Sequence, residues 1–532
     1  WAPLKTRAFL VIWLAMLASN AGTWIRDVAS GWLMTDLAPS PVLVSLVQAA
    51  TTLPVFLLSL PAGALADILD RRALLIAVQI LLLSASLGLA VAAQAGAMTP
   101  ELLLALTLIG GVGAALASPA FQSIVPELVP RPLLKPAVAL NSLGINIARA
   151  IGPAAGGAII AGAGVAAAYY ADAATYLLTI AAFLWWRREA VVRDVPPEGF
   201  VAAMRTGVRY ASNAPELQRT LARALAFFLF ASAYWALLPL IARERLHVDA
   251  AGYGALLAAI GAGAVLGALV LPRIKLSGGA LVLLGTLATA AGMAGLAVVV
   301  DPWAAGACLF LNGAAWIAVL TSLNVAAQSV LPNWVRARGL AVFITIFFGA
   351  MTLGSTLWGL TAQATSLTTA LFIAAGGAAF IGALAARLAK LPEGEADLAA
   401  ASSWPEPPVA APPAGERGPV MIAIIYDVAP EDRRAFLEAL ERFAKVRRRD
   451  GGFAWRVYED AETPNRYVET FQMISWLDHL RQHRRLTKAD AALQDAVRRF
   501  HRGAEPPAVR HLLAAKPEDV GPPAPETGHT DS

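Results

Sequence analysis

Residues 63–75, from Gly63 to Leu75, read GALADILDRRALL and set Asp67, Asp70, Arg71 and Arg72 between two long apolar runs. A chain leaving hydrocarbon has to turn within a few residues and go back in. A short charged stretch opened by glycine suits that turn, with Asp67 at a helix end and the two arginines on the watery side. Read this way, the stretch is a loop between two membrane-spanning helices. The alternative is an ordinary cytosolic turn held by Arg71 and Arg72.

Composition agrees with the membrane reading. Of 532 residues, 57% are hydrophobic and 15% charged, with mean hydropathy +0.59, which lies outside the soluble globular range. Through Lys390 there are 23 Lys and Arg against 14 Asp and Glu; the remainder has 19 against 23. The basic excess therefore belongs to the apolar part, where loops use it, and gives no argument for nucleic acid. The one cysteine, Cys308, sits inside an apolar run and excludes an intrachain disulfide framework.

Up to Lys390 the chain breaks into twelve apolar runs, each long enough to cross about 30 Å of hydrocarbon as a helix. They cover 7–32, 42–64, 73–95, 100–124, 138–161, 165–186, 223–243, 252–272, 279–300, 303–328, 339–361 and 366–388. Lys and Arg gather on one side, whereas only Arg243 and Arg245 fall on the other. The positive-inside rule then puts both ends of the membrane unit in the cytosol, in a cell (inner) membrane, which requires an even number of spans. An internal repeat supports twelve: Gln122-Ser123-Ile124-Val125-Pro126 recurs as Gln328-Ser329-Val330-Leu331-Pro332, and Gly63 has its counterpart in Gly267. The expected fold is all-α and polytopic, with six-helix halves at 1–186 and 223–390 joined by a connector at 187–222.

The pattern G-x-L-A-D-x-x-x-R-R-x-x-L, carried here by Gly63, Leu65, Ala66, Asp67, Arg71, Arg72 and Leu75, resembles the loop between helices 2 and 3 of the major facilitator superfamily. Ile68 stands where a basic residue is usual and Asp70 where Gly is usual. The resemblance implies that Gly63, Asp67, Arg71 and Arg72 form a conformational-switch loop, with Asp67 pairing in one state and releasing in another. The second copy, GALVLPRIK from Gly267, has Leu271 in place of the Asp.

Residues 146–157, NIARAIGPAAGG, contain a G-P-x-x-G-G element at Gly152, Pro153, Gly156 and Gly157 that resembles the helix 5 motif of exporters in that superfamily. Small residues at this spacing allow close helix approach, and proline permits a kink. The fourth span keeps Gly111, Gly113, Ala114 and Ala115 of a further exporter motif but has Thr107 where that motif is basic. Coupling through that arginine is therefore unsupported.

Charges at membrane depth are costly and should face a cavity or each other. Asp27 is the first candidate for a carboxylate that loads and unloads a proton, and Arg149 for its partner or an anion contact. Arg26 and Asp172, near the outer ends of their spans, read as a structural ion pair or interfacial charges. Asn20, Gln48, Gln122, Asn146, Asn312, Asn324 and Gln328 are candidate pathway amides. A mostly apolar cavity with scattered amides and aromatics suits a bulky amphiphile better than a sugar. Trp24, Trp32 and Trp303, near helix ends, read first as interfacial anchors.

Beyond Lys390 the composition changes. Residues 391–418 form a Pro-rich linker, 419–512 a compact α+β unit and 513–532 a disordered tail. The pattern in the unit is β-α-β-β-α-α: Val420 to Val428, Pro430 to Arg449, Phe453 to Glu459, Arg466 to Met473, then helices from Ser475 and Lys488. It resembles the ferredoxin-like barrel of antibiotic-biosynthesis-monooxygenase-type domains, which implies dimerisation through the sheets. His479 and His483, four apart on one helix face, are ligand candidates, but no third ligand is apparent and no metal is assigned.

Together the two parts resemble the transmembrane secretion effector group of exporters, relatives of the enterobactin exporter. The expected function is secondary active export of a hydrophobic or siderophore-like small molecule by alternating access with a coupling proton, and no enzyme activity or cofactor. The alternatives are a transporter whose soluble domain oxygenates the cargo, and a membrane binding protein without transport. No G-x-x-x-x-G-K-S/T loop is present, which argues against an ATP-driven pump.

Overall fold

A computed structural model describes residues 1–187, 200–392, 397–399, 401 and 417–515; for 63, 64, 66–68, 200–203 and 484 it describes the backbone alone. Thirteen helices precede residue 390: α1 (Arg7–Leu37), α2 (Pro41–Ile68), α3 (Arg71–Gln94), α4 (Pro100–Leu128), α5 (Leu134–Ala163), α6 (Val165–Trp185), α7 (Phe200–Asn213), α8 (Pro215–Leu240, running on through a π turn at Ile241–Arg245), α9 (Ala250–Val270), α10 (Gly278–Leu296), α11 (Pro302–Ser329), α12 (Arg336–Ala364) and α13 (Leu367–Leu388). All but α7 are long and apolar enough to cross a membrane, so the twelve expected spans are present.

Several helices begin where a capping side chain stands. Thr99, Ser277, Ser366 and Asp249 each accept a hydrogen bond from a backbone N–H of the first turn they precede, and Pro41 and Pro100 sit at first positions that need no donor. Asp70, where the resemblance leads one to expect glycine, caps α3 by accepting from Ala73 N at 2.8 Å. The turn between α2 and α3 is thus only Leu69 and Asp70.

Within the amino-terminal half, α1 packs on α5 and α6, α2 on α4, and α3 on α4 and α6; in the other half α11 packs on α9 and α10, and α10 on α13. The halves meet where α5 packs on α9. The helix 5 glycines make this possible. A Cβ on Gly157 would lie 2.6 Å from the Ala250 carbonyl and 3.0 Å from Gly254 Cα, and one on Gly254 would lie 2.6 Å from the Pro153 carbonyl. Gly152 and Gly156 face α1 instead, at Trp24 Cβ and Ile25 Cα. A second seam joins α2 to α12 through hydroxyl pairs, Thr52 with Thr352 and Ser59 with Thr345, both at 2.7 Å. At the Leu37 end of α1, Arg243 pairs with Asp36 and donates to Thr35 Oγ1 at 2.9 Å.

The described residues divide into two compact units, the helical one and a second containing 208–215, 330–336 and those beyond 394. In the second, β1 (Val420–Asp427), α14 (Arg433–Asp450), β2 (Phe453–Glu459), β3 (Arg466–Met473), α15 (Trp476–Arg485), α16 (Lys488–Arg498) and β4 (Ala508–Leu513) follow in order. The antiparallel sheet runs β2-β3-β1-β4. The fourth strand corrects the sequence pattern, which ended with the helices; only pairing with β1 makes so short a stretch a strand. The β2–β3 turn falls at Thr463-Pro464-Asn465 as expected, with Asn465 at φ 65°. The core joins alternate residues of β1 and β3 (Val420, Ile422, Ile424, Tyr426, Tyr467, Phe471, Met473) to Phe436, Leu440 and Phe443 of α14.

Candidate functional site

The densest polar chemistry at membrane depth lies among α1, α3, α4 and α6. Arg26 is 3% exposed and donates from Nη2 to Asp27 Oδ1 at 3.1 Å and from Nη1 to Tyr176 Oη at 3.2 Å. Its Nη1 also lies 4.0 Å from Asp172 Oδ2, which accepts from Ser86 Oγ at 2.5 Å. Asp172 is fully buried, and its other oxygen, Oδ1, has no hydrogen-bond partner among the described residues. The Asp27 side chain is 30% exposed. One guanidinium is therefore shared by two carboxylates, one fully buried and one partly exposed.

Two glycines make the space. A Cβ on Gly22 would sit 2.6 Å from Asp172 Oδ1, and one on Gly110 would sit 3.1 Å from Arg26 Nη1. Gly110 is one turn from Thr107, the position where the exporter motif is basic, so the guanidinium packed against α4 comes from α1. The surface reading of Arg26 and Asp172 is overturned. Distance from a helix end says nothing about which way a side chain faces, and both face the bundle. They form an ion pair inside the bundle. Ser86, Tyr176, Gly22 and Gly110 gave no sequence signal beyond being small or polar in an apolar run.

Arg149 lies midway along α5 and is half-buried. Its backbone carbonyl abuts Gly261 of α9, and no described carboxylate pairs with its side chain. Across the halves, Trp24 packs on Trp235 with ring centroids 6.2 Å apart, and Trp235 meets Trp316 at 5.7 Å. Trp32 stacks on Tyr253 at 5.9 Å. Trp24 and Trp32 are thus part of the inner aromatic packing, while Trp303, 86% exposed, keeps the position of an anchor.

The candidate amides do not converge. Asn20 and Gln48 are half-buried, Gln122 is exposed and donates to Ser118 of its own helix, and Asn146 donates to the Ser142 carbonyl. Asn324 and Gln328 bond each other one turn apart. Asn312 is fully buried with neither side-chain atom bonded among the described residues.

In the stretch 63–75, Gly63 lies in α2 and the Asp67 side chain lies outside the described residues. Arg71 donates from Nη1 to the Ser123 carbonyl at 3.0 Å and pairs with Glu127 at 2.8 Å. Arg72 donates to the carbonyls of Phe183 and Leu184 at 2.7 and 2.9 Å, which satisfies the open end of α6. Both arginines therefore tie α3 to the ends of α4 and α6 inside one half. In the second copy Arg273 donates to the Leu269 carbonyl in the preceding turn.

In the α+β unit, His479 and His483 do have a third histidine beside them. His511 of β4 brings its ring to 4.8 Å from that of His479, and the His479 and His483 rings are 4.6 Å apart. The missing strand hid this third residue from the sequence reading.

Residues 1–518 match the family model described as transmembrane secretion effector. Over 328 residues the chain is 30% identical to the enterobactin exporter EntS of Salmonella typhimurium, covering 60% of this chain and 77% of that protein. It is 25% identical over 255 residues to the staphyloferrin A transporter of Staphylococcus aureus, covering 48% of this chain and 64% of that one. Among solved structures, an inward-facing bacterial homologue of the lysosomal transporter Spinster superposes with TM-score 0.55 at 15% identity, over 73% of this chain and 98% of that one.

Proposed function

The chain belongs to the transmembrane secretion effector family, twelve-span transporters of the major facilitator superfamily, and on that footing we propose that it exports a siderophore-like or other bulky amphiphilic small molecule by alternating access coupled to protons. The observation that carries the proposal is the Arg26, Asp27 and Asp172 cluster. With every group ionised it holds a net negative charge at membrane depth, an expensive state, and one proton makes it neutral. Asp27 is the proton carrier because it is the reachable carboxylate, and Arg26 shifts towards Asp172 when Asp27 is neutral. Such a step turns proton loading into a change in how α1 is held against α4 and α6.

Arg149, unpaired with any described carboxylate, is the candidate contact for a substrate anion, and the Trp24, Trp235 and Trp316 surface for its apolar body. Of the amides, Asn20 and Gln48 are the better placed to line a pathway. Gly152, Pro153, Gly156 and Gly157 set the α5 contacts that must slide or part during switching. Asp67, Arg71 and Arg72 govern that switch without touching substrate. The Lys and Arg distribution supports both ends of the membrane unit lying in the cytosol, with 187–222 as connector and 391–418 as linker, of which 188–199, 393–396, 400 and 402–416 lie outside the described residues. The soluble unit is the proposed dimeriser, since its two edge strands keep Phe453, Tyr458, Val509 and Leu512 exposed.

Proteoliposomes with imposed proton gradients, loaded with a panel of siderophores, dyes and antibiotics, test the proposal. Wild-type chain moves at least one compound faster with a gradient. Asp27→Asn keeps substrate exchange but loses the response to the gradient, and Arg149→Ala weakens anionic substrates selectively. Absence of gradient-dependent flux for every compound in wild type, or an unchanged gradient response in Asp27→Asn, refutes it.

A further inference from the structure

We infer that His479, His483 and His511 form a binding site for a divalent first-row transition ion, held by three imidazoles with one position open to an outside ligand. Ligating atoms of the three side chains all lie within 4.8 Å of one another. Three nitrogens around a tetrahedral zinc at its usual bond length sit about 3.3 Å apart, so small side-chain rotations close the set. His479 and His483 are one helical turn apart on α15, and His511 comes from β4. Residues from a helix and an edge strand are thus brought to one point by the sheet, which neither element can do alone.

Burial separates this cluster from solvated surface histidines. His479 is 2% exposed, and neither of its ring nitrogens has a hydrogen-bond partner among the described residues. Beside it, Gln482 is also 2% exposed, with its side-chain oxygen unbonded. A polar ring sealed in the protein with both nitrogens unanswered is uncommon, and a bound ion answers one of them. The other can then donate to Gln482, the outer hydrogen bond that ligating histidines usually make. Trp476 lines the same place, with its ring 5.4 Å from His479 and 5.8 Å from His511.

Burial, with each neighbouring imidazole and Arg447, pushes the His479 ring down to about 3 and His483 to about 4, so both are neutral ligands at ordinary pH. Burial lowers His511 as well. The nearby cation Arg447 is itself paired with Glu469 at 3.3 Å, which limits its repulsion of a bound metal. Imidazole donors suit Zn²⁺, Co²⁺, Ni²⁺ and Cu²⁺ and do not suit Mg²⁺ or Ca²⁺. This site does not depend on the export reading.

The test is titration of the detergent-purified, chelator-stripped full chain with Co²⁺ alone, read by its visible ligand-field absorption, then competition with Zn²⁺. One Co²⁺ binds per chain with a low-coordinate, nitrogen-rich spectrum, and Zn²⁺ displaces it whereas Mg²⁺ does not. His483→Gln and His511→Gln, at partly exposed positions, each weaken Co²⁺ at least about 100-fold while keeping the wild-type melting profile without metal. His247→Gln and His501→Gln leave binding unchanged. No spectrum in the wild type, or one that survives both His483→Gln and His511→Gln, overturns the site and leaves three packed neutral imidazoles.

Discussion

Removing Arg26 is the sharpest test of the buried cluster. Arg26→Met keeps the length of the side chain and deletes its charge, leaving Asp172 fully buried with Ser86 and no cation. Opposite charges 4.0 Å apart, as Arg26 and Asp172 are, attract by about 4 kcal/mol at an effective dielectric near 20. The Asp27 contact at 3.1 Å adds less than its distance implies, because that side chain is 30% exposed and screened. Breaking a buried pair from one side costs about 3–5 kcal/mol, since the remaining charge keeps its desolvation penalty. For a chain of 532 residues that is a fall of roughly 3–5 °C in melting temperature. Arg26→Met with Asp172→Asn removes the stranded charge, and the double variant should regain at least about 2 kcal/mol over Arg26→Met alone. The assay is thermal unfolding of the full chain in one detergent for wild type, both single variants and the double. A double variant no more stable than Arg26→Met would show that the two groups are not coupled and would refute the cluster as the organising pair.

Three further outcomes follow from other parts of the structure. Gly157→Leu forces a side chain against the Ala250 carbonyl and should reduce flux to background, whereas Gly162→Leu, with nothing within 4 Å, should leave flux at wild type. Asp67→Asn should slow turnover while substrate affinity stays unchanged, measured by transport rate against equilibrium binding; altered affinity at wild-type turnover refutes the switch assignment. The metal-free soluble unit should lose stability as pH falls from about 6.5 to about 4. Across that window unfolded histidines take up protons that His479 and His483, held near 3 and 4 chiefly by burial and also by the neighbouring imidazoles and Arg447, do not. Melting at pH 7 and pH 5 for wild type and the His479→Gln, His483→Gln double variant checks this, and an equal slope in both refutes it.

Much of the architecture was legible in the residues because the bilayer is an extreme solvent. A span must be long and apolar whatever its neighbours are, so twelve helices, two related halves and a separate α+β unit could be read from hydropathy, repeat and composition. The G-P-x-x-G-G element on α5 was legible for a similar reason, since only small residues permit the approach seen at Gly157 and Gly254. What no periodicity could supply was direction around each helix. Arg26 and Asp172 read equally as interfacial charges or as an ion pair, and only the packing of α1 on α6, with room left at Gly22 and Gly110, turns them towards one another. His511 shows the same limit in the sheet. Its strand exists through pairing with β1, so its place beside His479 is a product of tertiary structure alone.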